Sequence, residues 1–81
     1  MTDSEFNKII CERIKMLRLK NELSIEQLAY QSGISKGGLS EIERCKKEPR
    51  ALTILKICCG LGMTLSEFFN FEDIKKFASK L

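Results

Sequence analysis

Between Ser24 and Ile42 the sequence is punctuated in a way that few folds accept: Ser24-x-x-Gln27, then Leu28-Ala29, then Gly33-Ile34-Ser35, then Leu39 and Ile42. Ser24 and Gln27 have the spacing of a capping box, in which the serine hydroxyl accepts from the backbone three residues on and the glutamine reaches back. Ser35 repeats the N-cap signal just after Gly33, a residue that enters the left-handed conformation of a tight turn at little cost. Two short helices must therefore cross close together. Ala29 is small where the second helix passes near it, and Leu39 and Ile42, at i and i+3, are apolar to seat that helix on the rest of the protein. The pattern predicts one helix from Ile25 to near Gly33 and another from Lys36 to Arg44.

The remaining segments read as helices too. Phe6, Ile9, Ile10, Ile14 and Leu17 step by three and four, with Lys8, Arg13, Lys15, Arg18 and Lys20 on the opposite face. They predict an amphipathic helix over 5–20, ended by Asn21 and Glu22. After the polar loop Lys46-Lys47-Glu48-Pro49-Arg50, Ala51, Ile54, Leu55, Cys58 and Leu61 predict a helix over 51–61, closed by Gly60 and Gly62. Ser66 reads as the cap of a short turn holding Phe68 and Phe69. Last, Phe71, Ile74, Phe77, Ala78 and Leu81 predict an amphipathic helix over 71–81. No segment alternates as a strand does, so the fold class is all-α. In 81 residues this is one domain, residues 1–70, with the C-terminal helix 71–81 added to it.

Composition narrows the function. The chain has no His, so the commonest general base and metal ligand is missing. Cys11, Cys45, Cys58 and Cys59 lack the Cys-x-x-Cys spacing of a zinc or redox site, and the adjacent pair would diverge by about 100° on a helix. They read as small apolar side chains in a reducing cytosol. These features point away from an enzyme, a metal, a cofactor or a small-molecule ligand. The first residues, Met1 to Glu5, are polar, and no apolar run approaches the ~18 residues of a membrane span; a cytoplasmic protein is expected. The net charge of +3 permits a nucleic-acid partner without arguing for one.

Two short helices joined by a tight turn, with Ala inside the first and Gly in the turn, describe a helix-turn-helix, here at about 25–44. The segments Arg13-Ile14-Lys15-Met16-Leu17-Arg18, Leu23-Ser24-x-x-Gln27-Leu28-Ala29, Gly33-Ile34-Ser35, Leu39-Ser40-x-Ile42-Glu43-Arg44 and Pro49 continue through Leu55-Lys56-Ile57 and Leu61-Gly62-Met63 to Leu65-Ser66-Glu67-Phe68-Phe69. In this order and spacing the chain resembles the phage-repressor/Cro-like helix-turn-helix family, also called XRE, over residues 10–69. The resemblance implies a compact five-helix bundle, the lambda-repressor-like DNA-binding domain, and a dimeric transcriptional regulator that binds double-stranded DNA sequence-specifically.

A recognition helix turns its N-terminal residues to base edges in the major groove. The resemblance puts Lys36, Gly37, Ser40 and Glu41 at those positions, with Arg44 nearer the edge. Lys suits the acceptors of guanine, Ser several bases, and Glu the amino group of cytosine. Ser24 and Ser35 open the two helices, where backbone N–H groups suit phosphate, and Lys46, Lys47 and Arg50 would neutralise the flanking backbone. The resemblance also implies a salt bridge between Arg18 and Glu43. Leu52, a bare apolar residue where the family commonly carries a polar one, is expected at a homodimer interface with Phe68, Phe71, Ile74, Phe77 and Leu81; the alternative is that the stripe of 71–81 folds back over the chain's own helices. The chain departs from the family at Gly37 and Gly38, at Ile25 and at Cys45, which stands where a Gly commonly ends the recognition helix. The two glycines and Ile25 leave that face less polar, which favours the rival reading, a protein-binding module on the same scaffold, antitoxin-like or complex-forming.

Overall fold

Thr2 opens the first helix: its hydroxyl accepts from the Glu5 amide at 3.1 Å, and Asp3 and Glu5 face the positive end of the helix dipole. In the computed structural model, which describes residues 2–81, α1 is therefore Asp3–Lys20, starting ahead of the apolar periodicity. The others are α2 (Ile25–Ser32), α3 (Lys36–Glu43), α4 (Ala51–Leu61), α5 (Leu65–Phe68) and α6 (Glu72–Ser79). There is no strand among the described residues.

The turn between α2 and α3 is built from both capping signals. The Gln27 amide donates to Ser24 Oγ at 3.0 Å, and the Ser24 amide donates to Gln27 Oε1 at 2.8 Å. Gly33 turns the chain at φ +70°, and Ser35 Oγ accepts from the Gly38 amide at 3.0 Å. The same closing turn recurs after α3 and α4. Behind α3 the Lys46 amide reaches Glu41 O and the Cys45 amide reaches Ile42 O, at 2.9 and 3.0 Å, with Cys45 left-handed at φ +58°. Behind α4 it is Gly62 that takes this position, at φ +69°. A side chain in that conformation is disfavoured, whereas glycine enters it freely. Cys45→Gly is thus expected to raise stability by about 0.5–1 kcal/mol, read as a higher midpoint in urea.

Three further boundaries depart from the sequence reading. Thr64, not Ser66, caps α5: its hydroxyl accepts from the Glu67 amide at 3.1 Å and its own amide donates to Glu67 Oε1 at 2.8 Å. The Thr64 amide and the Thr64 hydroxyl, the latter at 3.0 Å, both donate to Glu67 Oε1 and hold this carboxyl below its ordinary pKa. Gly60 lies inside α4, where α4 presses on α2: a Cβ there would collide with Ser32 Oγ and stand 3.0 Å from the Ser32 backbone nitrogen. The last helix spans Glu72–Ser79, with Phe71 extended before it.

Ile10, Cys11, Ile14, Leu28, Ala29, Leu39, Ile42, Ile57, Cys58 and Phe68 form the core, contributed by α1 to α5. Phe68, expected at a dimer interface, is fully buried, because the turn of α5 points it between α1 and α4 instead of outward. Phe77 is buried as well, its ring centroid 5.5 Å from that of Phe6, and Ile74 packs on the same core. The apolar stripe of α6 thus folds back over α1, where Phe6 and Arg13 offer it cover within the chain. Arg13 fastens the junction. Its Nε donates to Phe68 O at 2.9 Å and its Nη2 to Glu67 O at 3.1 Å, and its guanidinium lies 4.5 Å from the centroid of the half-buried Phe71 ring. Of the expected interface residues, Leu52 and Leu81 are the ones left broadly open, at 61% and 87% exposed.

Candidate nucleic-acid interface

α3 is eight residues long and is tied to α1 through Arg18. Arg18 Nε and Nη2 donate to the two oxygens of Glu43 at 2.8 and 3.0 Å, a bidentate pair, and Nη1 donates to Leu23 O at 2.8 Å. The side chains are 10% and 4% exposed. Leu39 and Ile42 press the other side of α3 into the core. What remains outside is one row: Lys36, Gly37, Glu41 and Arg44 are exposed and Ser40 is half-exposed.

Within this row the residues differ. Lys36 Nζ donates to Glu26 Oε1 of α2 at 2.9 Å. Such an exposed pair contributes about 0.2–1 kcal/mol to the fold, so its position matters more than its strength. Glu41 makes no ion pair among the described residues. Arg44 turns back along its own helix, its Nε 3.4 Å from Ser40 O. A Cβ on Gly37 would meet nothing within 4 Å, so this residue presents bare backbone to the outside.

The residues considered for phosphate fall into two groups. Ser35, Lys47 and Arg50 border one recess of about 340 Å³ beside the start of α3, floored by Ile34 and Ile42. Lys46, exposed, follows at the close of the helix. Ser24 stands apart at the start of α2. Both serine hydroxyls accept from the backbone of their own helices, which fixes their position and leaves each O–H as a donor. Glu26 and Arg13 escaped the sequence reading; their partners are ten and fifty-four or more residues away, and local spacing carries no sign of either.

Cys11 and Cys58 are buried, whereas Cys45 and Cys59 are exposed. Burial pushes the Cys11 thiol up to about 12, and the Cys45 thiol beside it works in the same direction. Cys11 donates weakly to Asn7 Oδ1 at 3.6 Å. Burial raises Cys58 too. No group of His, Cys, Asp or Glu among the described residues has the arrangement of a metal site.

Two crossed helices closed by a glycine turn, with an outward polar row on the second, define a helix-turn-helix protein. Residues 14–68 match the helix-turn-helix family profile, and the chain belongs to that family, of the XRE type. It is 39% identical over 62 residues to the control protein C.MunI of a Mycoplasma species, covering 76% of this chain and 81% of that one. It is 33% identical over 63 residues to the HTH-type transcriptional regulator SutR of Escherichia coli, covering 78% of this chain but 35% of SutR. The chain thus spans about a third of that relative's length. Among solved structures, an HTH_3 family transcriptional regulator from Vibrio cholerae superposes with a TM-score of 0.84 at 36% identity, over 96% of this chain and 43% of that one. A mutant of the restriction-modification controller protein C.Esp1396I superposes with a TM-score of 0.79 at 28% identity, over 91% of each chain. The family is one of helix-turn-helix transcriptional regulators. No helix among the described residues is long and apolar enough to cross a membrane.

Proposed function

We propose that the chain binds double-stranded DNA sequence-specifically and regulates transcription as a homodimer, with α3 in the major groove. The observation that carries this reading is the row Lys36, Gly37, Ser40, Glu41 and Arg44, turned outward on a helix that Arg18 and Glu43 hold rigid. Lys36 and Glu41 are the residues with groups for guanine and cytosine edges, Gly37 lets the backbone come close, and Arg44 reaches the groove's margin. Lys46, Lys47 and Arg50 neutralise phosphates beside the recess, and the helix starts at Ser24 and Ser35 direct free amides at the backbone. The two control proteins matched over most of their own length support a regulatory role of that kind.

The test is a duplex-binding titration on a pool selected from random sequences. Binding is expected to weaken steeply with salt as counterions are released. Lys36→Ala should relax preference at one base position and cost about 1–3 kcal/mol, whereas Lys46→Ala should weaken all sequences alike and flatten the salt dependence. Absence of binding at low salt to any selected duplex would overturn the DNA reading and favour a protein partner.

For the homodimer, the apolar side chains open to water on α4 and α5 are the support. Leu52 and Leu55, neighbours at i and i+3, are 61% and 45% exposed, and Leu65 is 42% exposed. A two-fold contact through this face would set two copies of α3 for successive major grooves. Leu52→Glu combined with Leu55→Glu is expected to give a folded monomer by sedimentation, binding half-sites weakly. A dimer of unchanged affinity would place the interface elsewhere.

A further inference from the structure

Glu26 stands in the first turn of α2 and Lys36 is the first residue of α3, so their ion pair at 2.9 Å ties together the N-terminal ends of the two helices that face DNA in the reading above. Both side chains are largely open to water, at 71% and 64% exposed, and the pair adds little to the fold. Its location is the notable point. A carboxylate occupies the place where phosphate would meet the start of α2, and it engages the one α3 ammonium that a phosphate would otherwise take. A lysine ammonium is a mobile point charge with three donors; left free, it settles on the nearest phosphate whatever the sequence. Paired with Glu26, it is drawn away from the flanking phosphates and has donors to spare for a base edge. Glu41, the other exposed carboxylate of the helix-turn-helix surface, has no such partner among the described residues and leaves Lys36 to Glu26.

We propose that Glu26 is a positioning residue for sequence discrimination: it holds Lys36 toward base edges and away from phosphates, and its own charge opposes docking on arbitrary duplex. This rests on the DNA-binding reading and adds to it a residue whose contribution is to weaken the wrong complexes more than the right one.

The experiment measures the intact protein, Glu26→Gln, Lys36→Ala and the double variant on a selected site and on random duplex. Salt dependence and base preference are recorded for each. Glu26→Gln is expected to tighten random-duplex binding by about three- to tenfold at low salt, steepen the salt slope by about one, and broaden preference at the position Lys36 reads. In the Lys36→Ala background the same substitution should leave base preference unchanged. A purely structural role would lower both affinities together and leave preference intact, which overturns the proposal. So does a selected-to-random affinity ratio within about twofold of the original protein, or equal broadening with Lys36 absent. Should the unsubstituted protein bind no duplex, the DNA reading itself falls, an outcome seen before any variant is compared.

Discussion

Glu43→Ala is expected to cost about 3–5 kcal/mol, the largest effect of any single substitution considered for this protein. Arg18 would remain almost fully buried, with its guanidinium keeping one neutral acceptor, Leu23 O, in place of a carboxylate. A domain of this length is stable by roughly 4–12 kcal/mol, so the variant would stand near the edge of unfolding. Urea denaturation measures it. Replacing both partners by apolar residues of similar volume should recover most of the loss, because the penalty comes from a stranded charge and not from the absent attraction. A double-mutant cycle with coupling under a few tenths of a kcal/mol would show that Arg18 finds water instead of Glu43.

Gly60→Ala is expected to cost about 2–3 kcal/mol, although alanine is the better helix former by about 1 kcal/mol. The new methyl would drive into Ser32 Oγ and against the Ser32 and Gln31 backbone, which belongs to α2 and cannot yield without moving that helix. Ser32 Oγ is itself buried without a hydrogen-bond partner among the described residues. Ser32→Ala should therefore be near neutral or stabilising by about 1 kcal/mol, and combined with Gly60→Ala it should return part of the loss. A Gly60→Ala protein as stable as the original would mean that α2 and α4 slide apart at no cost.

The parts of this fold that were legible in the sequence are those whose signals are local. Ser24 with Gln27, Gly33 and Ser35 each satisfy a backbone group within a few residues, so spacing alone reveals them. Thr64-x-x-Glu67 is an equally local signal; Ser66, a hydroxyl two places on, was the wrong one of two, and Glu67 distinguishes them because it closes the box with Thr64 alone. The stripe of α6 was legible as a stripe, but periodicity says that a face needs cover and not what provides it. Here Phe6 and Arg13 provide it, and Arg13 had read as one more charge on a solvated face. Arg18 with Glu43 entered through the family resemblance, and Glu26 with Lys36 not at all, since a pairing across a turn leaves no period behind it.

α1 is gripped at two stations, by Glu43 at Arg18 and by the α5–α6 junction at Arg13. The two stations lie five residues, about 7.5 Å, apart along α1, so this helix couples α3, the element proposed to face DNA, directly to the C-terminal elements. The protomer is consequently a stiff bracket. In the proposed dimer the distance between the two copies of α3 would then be set by the fold and by the interface. One base pair added between half-sites shifts them by about 3.4 Å and rotates them by about 34°. Whatever tolerance such a regulator shows for spacing then has to be supplied by the twist and bend of the duplex, so operators with flexible central steps would be favoured at positions the protein never touches.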